Sequence, residues 1–149
     1  RNMHAYVIGE HGDSEFVPRS QAMLATKSVM DICEQSGGRY QVEEMQRLSL
    51  EVRDAAQQII EAKSATYYGI GMSLVRISRA VLGNENSVLT VSARLRGEYG
   101  QRGIYAGVPC IVNSNGVDRV LELQLSQEEQ QLFSESCGIL EESYVGLAL

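Results

Sequence analysis

The sequence has no tryptophan, two histidines and three cysteines, and the cysteines lie far apart at Cys33, Cys110 and Cys137. Their odd number and wide spacing exclude a zinc-ligand pattern and a disulfide framework. They suit a reducing cytoplasm in which each is a small buried hydrophobe. No stretch approaches the ~18 apolar residues that a spanning helix needs, and no basic start leads into an apolar run, so neither a membrane nor a secretory route is expected. With 13 Lys and Arg against 19 Asp and Glu, the net charge is -6. No Lys/Arg patch stands out along the chain, which argues against nucleic acid as a partner. Internal repeats, low-complexity tracts and linkers are also missing. His4, His11 and the nearby carboxylates point to different places along a strand and turn, so no metal site is expected.

What is present is enough for one domain over residues 1–149, since 44% of the residues are hydrophobic. The stretch of greatest interest is His4-Ala5-Tyr6-Val7-Ile8-Gly9-Glu10-His11-Gly12-Asp13-Ser14. Tyr6-Val7-Ile8 has the length of a short buried strand, and a helical pattern is read from about Glu15. His11 therefore falls at a strand-to-helix junction, where a rigid element aims it and Gly12 would let a substrate approach the backbone. Only His4 and His11 can change charge near neutral pH without help. By itself such a histidine is either a structural corner or a proton-transfer group.

Downstream, Phe16, Met23, Leu24, Met30 and Cys33 recur at mostly helical spacing, with Pro18 in the first turn, and Ser36-Gly37-Gly38 ends that helix. A second, amphipathic helix runs from Val42 to Ile60 and is expected to pack one side on the core. Tyr67 to Leu82 is apolar nearly all round. Gly69 and Gly71 inside it each cost roughly 1 kcal/mol relative to alanine, which predicts tight packing against another backbone or a ligand. No third glycine follows and no strand precedes, so Gly69-Ile70-Gly71 is not a dinucleotide fingerprint.

After the turn Gly83–Asn86, residues 87–95 read as a strand, 96–103 as a loop, and 104–112 as a second strand interrupted near Pro109. Asn113-Ser114-Asn115-Gly116 signals a hairpin, and 117–125 reads as the third strand. Ser126 and Glu129 fit a capping box that opens a last helix, with Leu132, Phe133, Ser136, Cys137 and Leu140 on one face. The apolar tail 144–149 is expected to dock. Helices, a three-stranded antiparallel meander and a final helix make the fold class α+β.

From His4 to Ser14 the chain resembles the active-site segment of the NAD-dependent L-lactate and malate dehydrogenases. The resemblance continues through Val52-Arg53-Asp54-Ala55-Ala56, Ile59-Ile60-Glu61 and Lys63 to Ile70. It goes on through Asn84-Glu85-Asn86, Gly107-Val108-Pro109, Ile111-Val112-Asn113 and Asn115-Gly116, in order over essentially the whole chain. The reading Gly-Glu-His-Gly-Asp-Ser-Glu is most similar to bacterial L-lactate dehydrogenases, and specifically to their C-terminal, substrate-binding half. Arg1-Asn2-Met3 runs straight into a strand; a domain can begin this way, but so can the back half of a longer protein.

The resemblance implies roles. His11 would exchange a proton with the substrate oxygen while a hydride moves between the substrate carbon and the nicotinamide ring of NAD. An imidazole suits this because it can serve as acid in one direction and base in the other. Asp13 would fix the local turn through backbone hydrogen bonds. Thr66 would help shape the substrate pocket, and Ile70 would pack against the nicotinamide ring as a dry surface. His4 would help bind the phosphate of a fructose-1,6-bisphosphate effector between subunits. The whole enzyme would be a cytoplasmic, allosteric homotetramer of glycolysis and fermentation, acting on pyruvate and L-lactate.

Two positions depart from the family pattern. Gln57 replaces the usual tyrosine after Asp-Ala-Ala, and Arg19 replaces a common tryptophan. In the family, the substrate-anchoring arginine, the aspartate that orients the histidine, the loop arginine and the glycine-rich NAD domain all lie upstream. Malate, another 2-hydroxy acid, and a non-catalytic association module therefore stay open as alternatives.

Overall fold

The computed structural model describes residues 2–147. Its centre is an antiparallel sheet of β4 (Ser87–Arg96), β5 (Arg102–Asn113) and β6 (Gly116–Val120), with β5 in the middle. The expected hairpin forms: β5 ends at Asn113, Gly116 turns with φ +86°, and Asn113 pairs with Gly116. Pro109 does not interrupt β5. It sits opposite Thr90, its carbonyl accepts from Leu121 N–H at 2.8 Å, and a proline needs only an acceptor role there. β6 ends at Val120 rather than 125. The charged loop 96–103 tightens into a single 3-10 turn, Glu98–Gly100, whose Tyr99 is buried.

α4 (Gln127–Leu147) covers one face of this sheet. Its start is the capping box expected from the sequence: Ser126 Oγ accepts Glu129 N–H at 3.2 Å, and Glu129 Oε2 accepts Ser126 N–H at 2.9 Å. Phe133 and Cys137 face Leu95, Ile104, Ala106, Val108 and Cys110, all buried. The Tyr99 ring lies against Phe133 with centroids 4.6 Å apart. Burying a side chain such as Phe133 stabilises by roughly 1.5–3 kcal/mol, so this interface carries much of the core. All three cysteines are buried and free.

The first third differs from the expected helix over 15–33. A 3-10 turn at Arg19–Gln21 leads into two short strands, β2 (Met23–Leu24) and β3 (Lys27–Ser28), and only α1 (Val29–Gln35) is helical. β1 (Met3–His4) pairs with β2 to complete a small second sheet. Two backbone positions explain the failure: Pro18 holds φ -64°, ψ 99°, and Ala25 turns with φ 55°. Neither is compatible with a continuous helix. Tyr6-Val7-Ile8 is also not a regular strand. It makes contact through isolated bridges, Ile8 with Phe16 and Gly9 with Gly107.

α2 (Val42–Lys63) and α3 (Tyr68–Leu82) are helices as expected, but they are far less covered. α2 packs on the small core of Ala22, Val29 and Cys33 through Val42 and Met45, while Leu48, Val52, Ile59 and Ile60 remain exposed. On α3 only Ala80 is buried. An added Cβ at Gly69 or Gly71 would meet nothing within 4 Å, so the tight packing expected there is absent among the described residues. The tail is not docked either: Tyr144, Val145 and Leu147 continue α4 and stay exposed, while 148–149 lie outside the described residues.

Candidate active site

Three short connections fix the loop that carries His11. At its base Ile8 and Phe16 exchange hydrogen bonds of 2.9 and 3.1 Å. Beside it Gly9 and Gly107 of β5 do the same at 2.9 and 2.8 Å. The approach is so close that a Cβ on Gly107 would lie 3.0 Å from Gly9 O, so any side chain there would have to push the Gly9 backbone away. Within the loop, Glu15 N–H reaches Gly12 O at 3.2 Å.

The turn is held by Glu10 and two serines rather than by Asp13, which is exposed and makes no hydrogen bond among the described residues. Glu10 N–H donates to Ser136 Oγ of α4 at 2.7 Å, and Ser14 Oγ donates to Glu10 Oε2 at 2.6 Å. Ser136 Oγ and Ser14 Oγ are 3.0 Å apart. Since Ser14 spends its proton on the carboxylate, Ser136 must donate to Ser14. The result is a closed ring of hydrogen bonds from Glu10 through α4 and back. The Glu10 carboxylate also fills the space over Gly12, where a Cβ would lie 2.2 Å from Oε1. In this structure the space that Gly12 opens is taken by the Glu10 side chain.

His11 stands outside this ring with its side chain 95% exposed. Its Nδ1 lies 3.2 Å from Glu15 Oε2, whose side chain is only 16% exposed. An ionised carboxylate can only accept, so Nδ1 carries the hydrogen and Nε2 faces outward. The ring borders an open cleft of about 780 Å³ lined also by Tyr6, Ile8, Gly9, Val91, Tyr105 and Leu140. A rigidly based, exposed imidazole with an oriented tautomer at the mouth of a mostly apolar cleft can move a proton to or from a bound oxygen.

The family model for the lactate/malate dehydrogenase alpha/beta C-terminal domain matches residues 1–145. The chain belongs to this family. It is 50% identical over 141 residues to an L-lactate dehydrogenase of Geobacillus sp. (strain WCH70), covering 95% of this chain and 44% of that protein. L-lactate dehydrogenase 2 of Bacillus cereus (strain ATCC 14579) is 47% identical over 143 residues, covering 96% and 45%. Among solved structures, the ligands-bound form of a minor L-lactate dehydrogenase from Enterococcus mundtii superposes with a TM-score of 0.95 at 42% identity, covering all of this chain and 47% of that one. The chain thus spans less than half the length of the relatives it matches, and its α+β fold is that of the family's C-terminal domain.

The other site residues named from the family lie apart. Thr66 is half-buried in the connection between α2 and α3, and Ile70 is 50% exposed on α3. Neither lines the cleft beside His11. His4 is exposed on β1, opposite Met23. Glu15, Glu10 and Ser136 escaped the sequence reading. The i,i+4 spacing of His11 and Glu15 was a usable signal for the first. No local signal points from Glu10 to Ser136, which is 126 positions away.

Proposed function

We propose that this chain is the substrate-binding half of an L-lactate dehydrogenase, interconverting pyruvate and L-lactate, with His11 as the proton donor and acceptor. The observation that carries the reading is the exposed imidazole at the edge of the open cleft, whose Nδ1 is held at 3.2 Å by Glu15, leaving Nε2 without a protein partner. In reduction, Nε2–H of the imidazolium gives its proton to the carbonyl oxygen as the carbonyl carbon gains a hydride. In lactate oxidation the neutral Nε2 takes the hydroxyl proton back. NAD, when bound, supplies or accepts that hydride.

The fit of this chain to NAD is partial. Ile70 offers an exposed apolar surface suited to one face of the nicotinamide ring, whereas the described residues contain no strand–helix–strand unit to cradle the remainder. A partner domain of the same protein is therefore required, together with its arginine for the substrate carboxylate. Thr66, outside the cleft beside His11 in this chain, meets the substrate from the α2–α3 connection in the whole protein, and His4 takes part in binding a fructose-1,6-bisphosphate effector at a subunit boundary. The whole protein works in the cytoplasm as a homotetramer.

Assay of the 149-residue chain with pyruvate and NADH tests the claim that it holds only half a site. It should show no turnover above background, because alignment with a bound cofactor supplies much of the rate. The protein including its cofactor domain should reduce pyruvate. Preference for oxaloacetate would replace this reading with malate dehydrogenase. A second reading, an association module, is favoured by one observation: Tyr68, Met72, Leu74 and Val75 of α3 are all more than half exposed. Exchange of the chain into oligomers of the full-length enzyme, without effect on rate, would support it.

A further inference from the structure

Three arginines on the helices have carboxylate mates: Arg47 with Glu51, and Arg76 and Arg79 with Glu85. Of the described arginines without one, three lie together in space. Arg94 and Arg96 alternate onto the exposed face of β4, and Arg102 at the start of β5 sits directly opposite Arg96. Among the described residues none of the three guanidiniums has a carboxylate oxygen within 4 Å. Glu98, on the turn between the strands, accepts Arg96 N–H at 2.5 Å; backbone hydrogen bonds and, to a lesser degree, the Arg96 charge hold its carboxyl below the usual range, so it offsets only part of the cluster's charge. Like charges directly opposite in a sheet are destabilising. A chain of net charge -6 has nonetheless gathered three of its 13 basic residues at one end of its main sheet.

All three arginines line one cavity of about 310 Å³ with Leu95 and Gly103. A second cavity of about 330 Å³ shares Arg94 and Gly103 and continues past Ile104 and Tyr105 to Leu140, Ser143 and Tyr144. The charged end and the mostly apolar trough are therefore continuous. Guanidinium forks match the oxygens of a phosphoryl group bidentately, and several forks around one cavity favour a multiply charged anion over a monocarboxylate. The cluster spans two neighbouring strands, about 5 Å apart, so it fits one phosphoryl group rather than a run of nucleic-acid phosphates.

We propose that Arg94, Arg96 and Arg102 form a binding site for an organic phosphate, whose phosphoryl group meets the three guanidiniums and whose uncharged body lies along Tyr105 and Tyr144. The trough shares Tyr105 and Leu140 with the cleft at His11, but none of the three arginines lines that cleft, and the proposal does not depend on the reading of it.

Calorimetric titration of the 149-residue chain with phenyl phosphate, inorganic phosphate and benzoate tests it. Phenyl phosphate should saturate one site, inorganic phosphate should bind more weakly, and benzoate weaker still. Raising salt from about 50 to about 200 mM should lower the affinity. The double variant Arg96→Ser/Arg102→Ser should weaken phenyl phosphate at least tenfold, while His4→Gln and His11→Gln should leave it unchanged. Failure of phenyl phosphate to saturate the wild-type chain would overturn the proposal, whatever the fate of the double variant. So would unchanged affinity in a folded double variant, loss of binding in His4→Gln, or equal binding of benzoate. Arginines present only to blunt the free edge of β4 would give the first of these results.

Discussion

Replacing Ser136 with alanine removes one oxygen from the ring of hydrogen bonds that seats the His11 loop on α4. Ser136 is fully buried, accepts Glu10 N–H at 2.7 Å and shares its own proton with Ser14 Oγ at 3.0 Å. Without it, a partly buried backbone N–H loses its acceptor, a defect worth about 1–3 kcal/mol, and one neutral hydrogen bond of about 0.5–1.5 kcal/mol goes as well. The lost atom is small, so the cavity adds little. A total near 2 kcal/mol is expected, which in urea corresponds to a midpoint lowered by about 1 M for a slope of about 2 kcal/mol/M. The loop should loosen along with the fold. In the protein carrying its cofactor domain, kcat for pyruvate should fall about tenfold while NADH affinity holds, since misplacing a reacting group costs rate more than cofactor binding. A Ser136→Ala protein with an unchanged urea midpoint and unchanged kcat would refute the idea that α4 positions this loop.

Gly9→Ala should act on the same ring from the other side: its backbone holds φ +105° and a Cβ would meet Ser136 Oγ at 2.5 Å, so a loss of about 1–3 kcal/mol is expected in thermal or urea unfolding. Glu129 is held below the usual carboxylate range. Burial pushes it up, but hydrogen bonds from Ser20 and Ser126 outweigh that and bring it down. A lowered folded value means that its stabilisation is full above the ordinary value near 4.5 and is lost as pH falls through the folded one. The stability gap between wild type and Glu129→Gln should therefore be widest near neutrality and shrink below pH 4.5, as read by denaturant titrations at several pH values. Burial pushes the thiols of Cys110 and Cys137 up to about 11, so both should resist a thiol reagent at neutral pH until the chain is unfolded.

The parts legible in the sequence are those where one short pattern dictates one geometry. Asn115-Gly116 made the hairpin, and Ser126 with Glu129 capped α4 in the expected way. Between Glu15 and Cys33 the apolar spacing is only roughly helical, and the deciding features, the backbone angles at Pro18 and Ala25, leave no mark in that spacing. α3 shows a different limit. Apolar composition says that Met72 or Val75 gains by being covered, but not which element does the covering, and here both remain exposed. At the candidate site, His11 stood out as a rare titratable residue beside glycines, whereas Thr66 and Ile70 were visible only through resemblance to a family. The ring through Ser136 joins residues over 120 positions apart and depends on the finished fold. The arginine cluster is of the same kind: scattered in sequence, it is assembled by the register that sets Arg96 against Arg102.

The most direct measurement is the pH–rate profile of His11→Gln in the protein with its cofactor domain. Glutamine keeps polarity and rough size but cannot shuttle a proton, so pyruvate reduction should fall by about 10²–10⁴-fold and the remaining rate should lose its near-neutral pH dependence. NADH binding should stay within about twofold of wild type. A variant that keeps its rate and its profile would contradict the assignment of proton transfer to this imidazole.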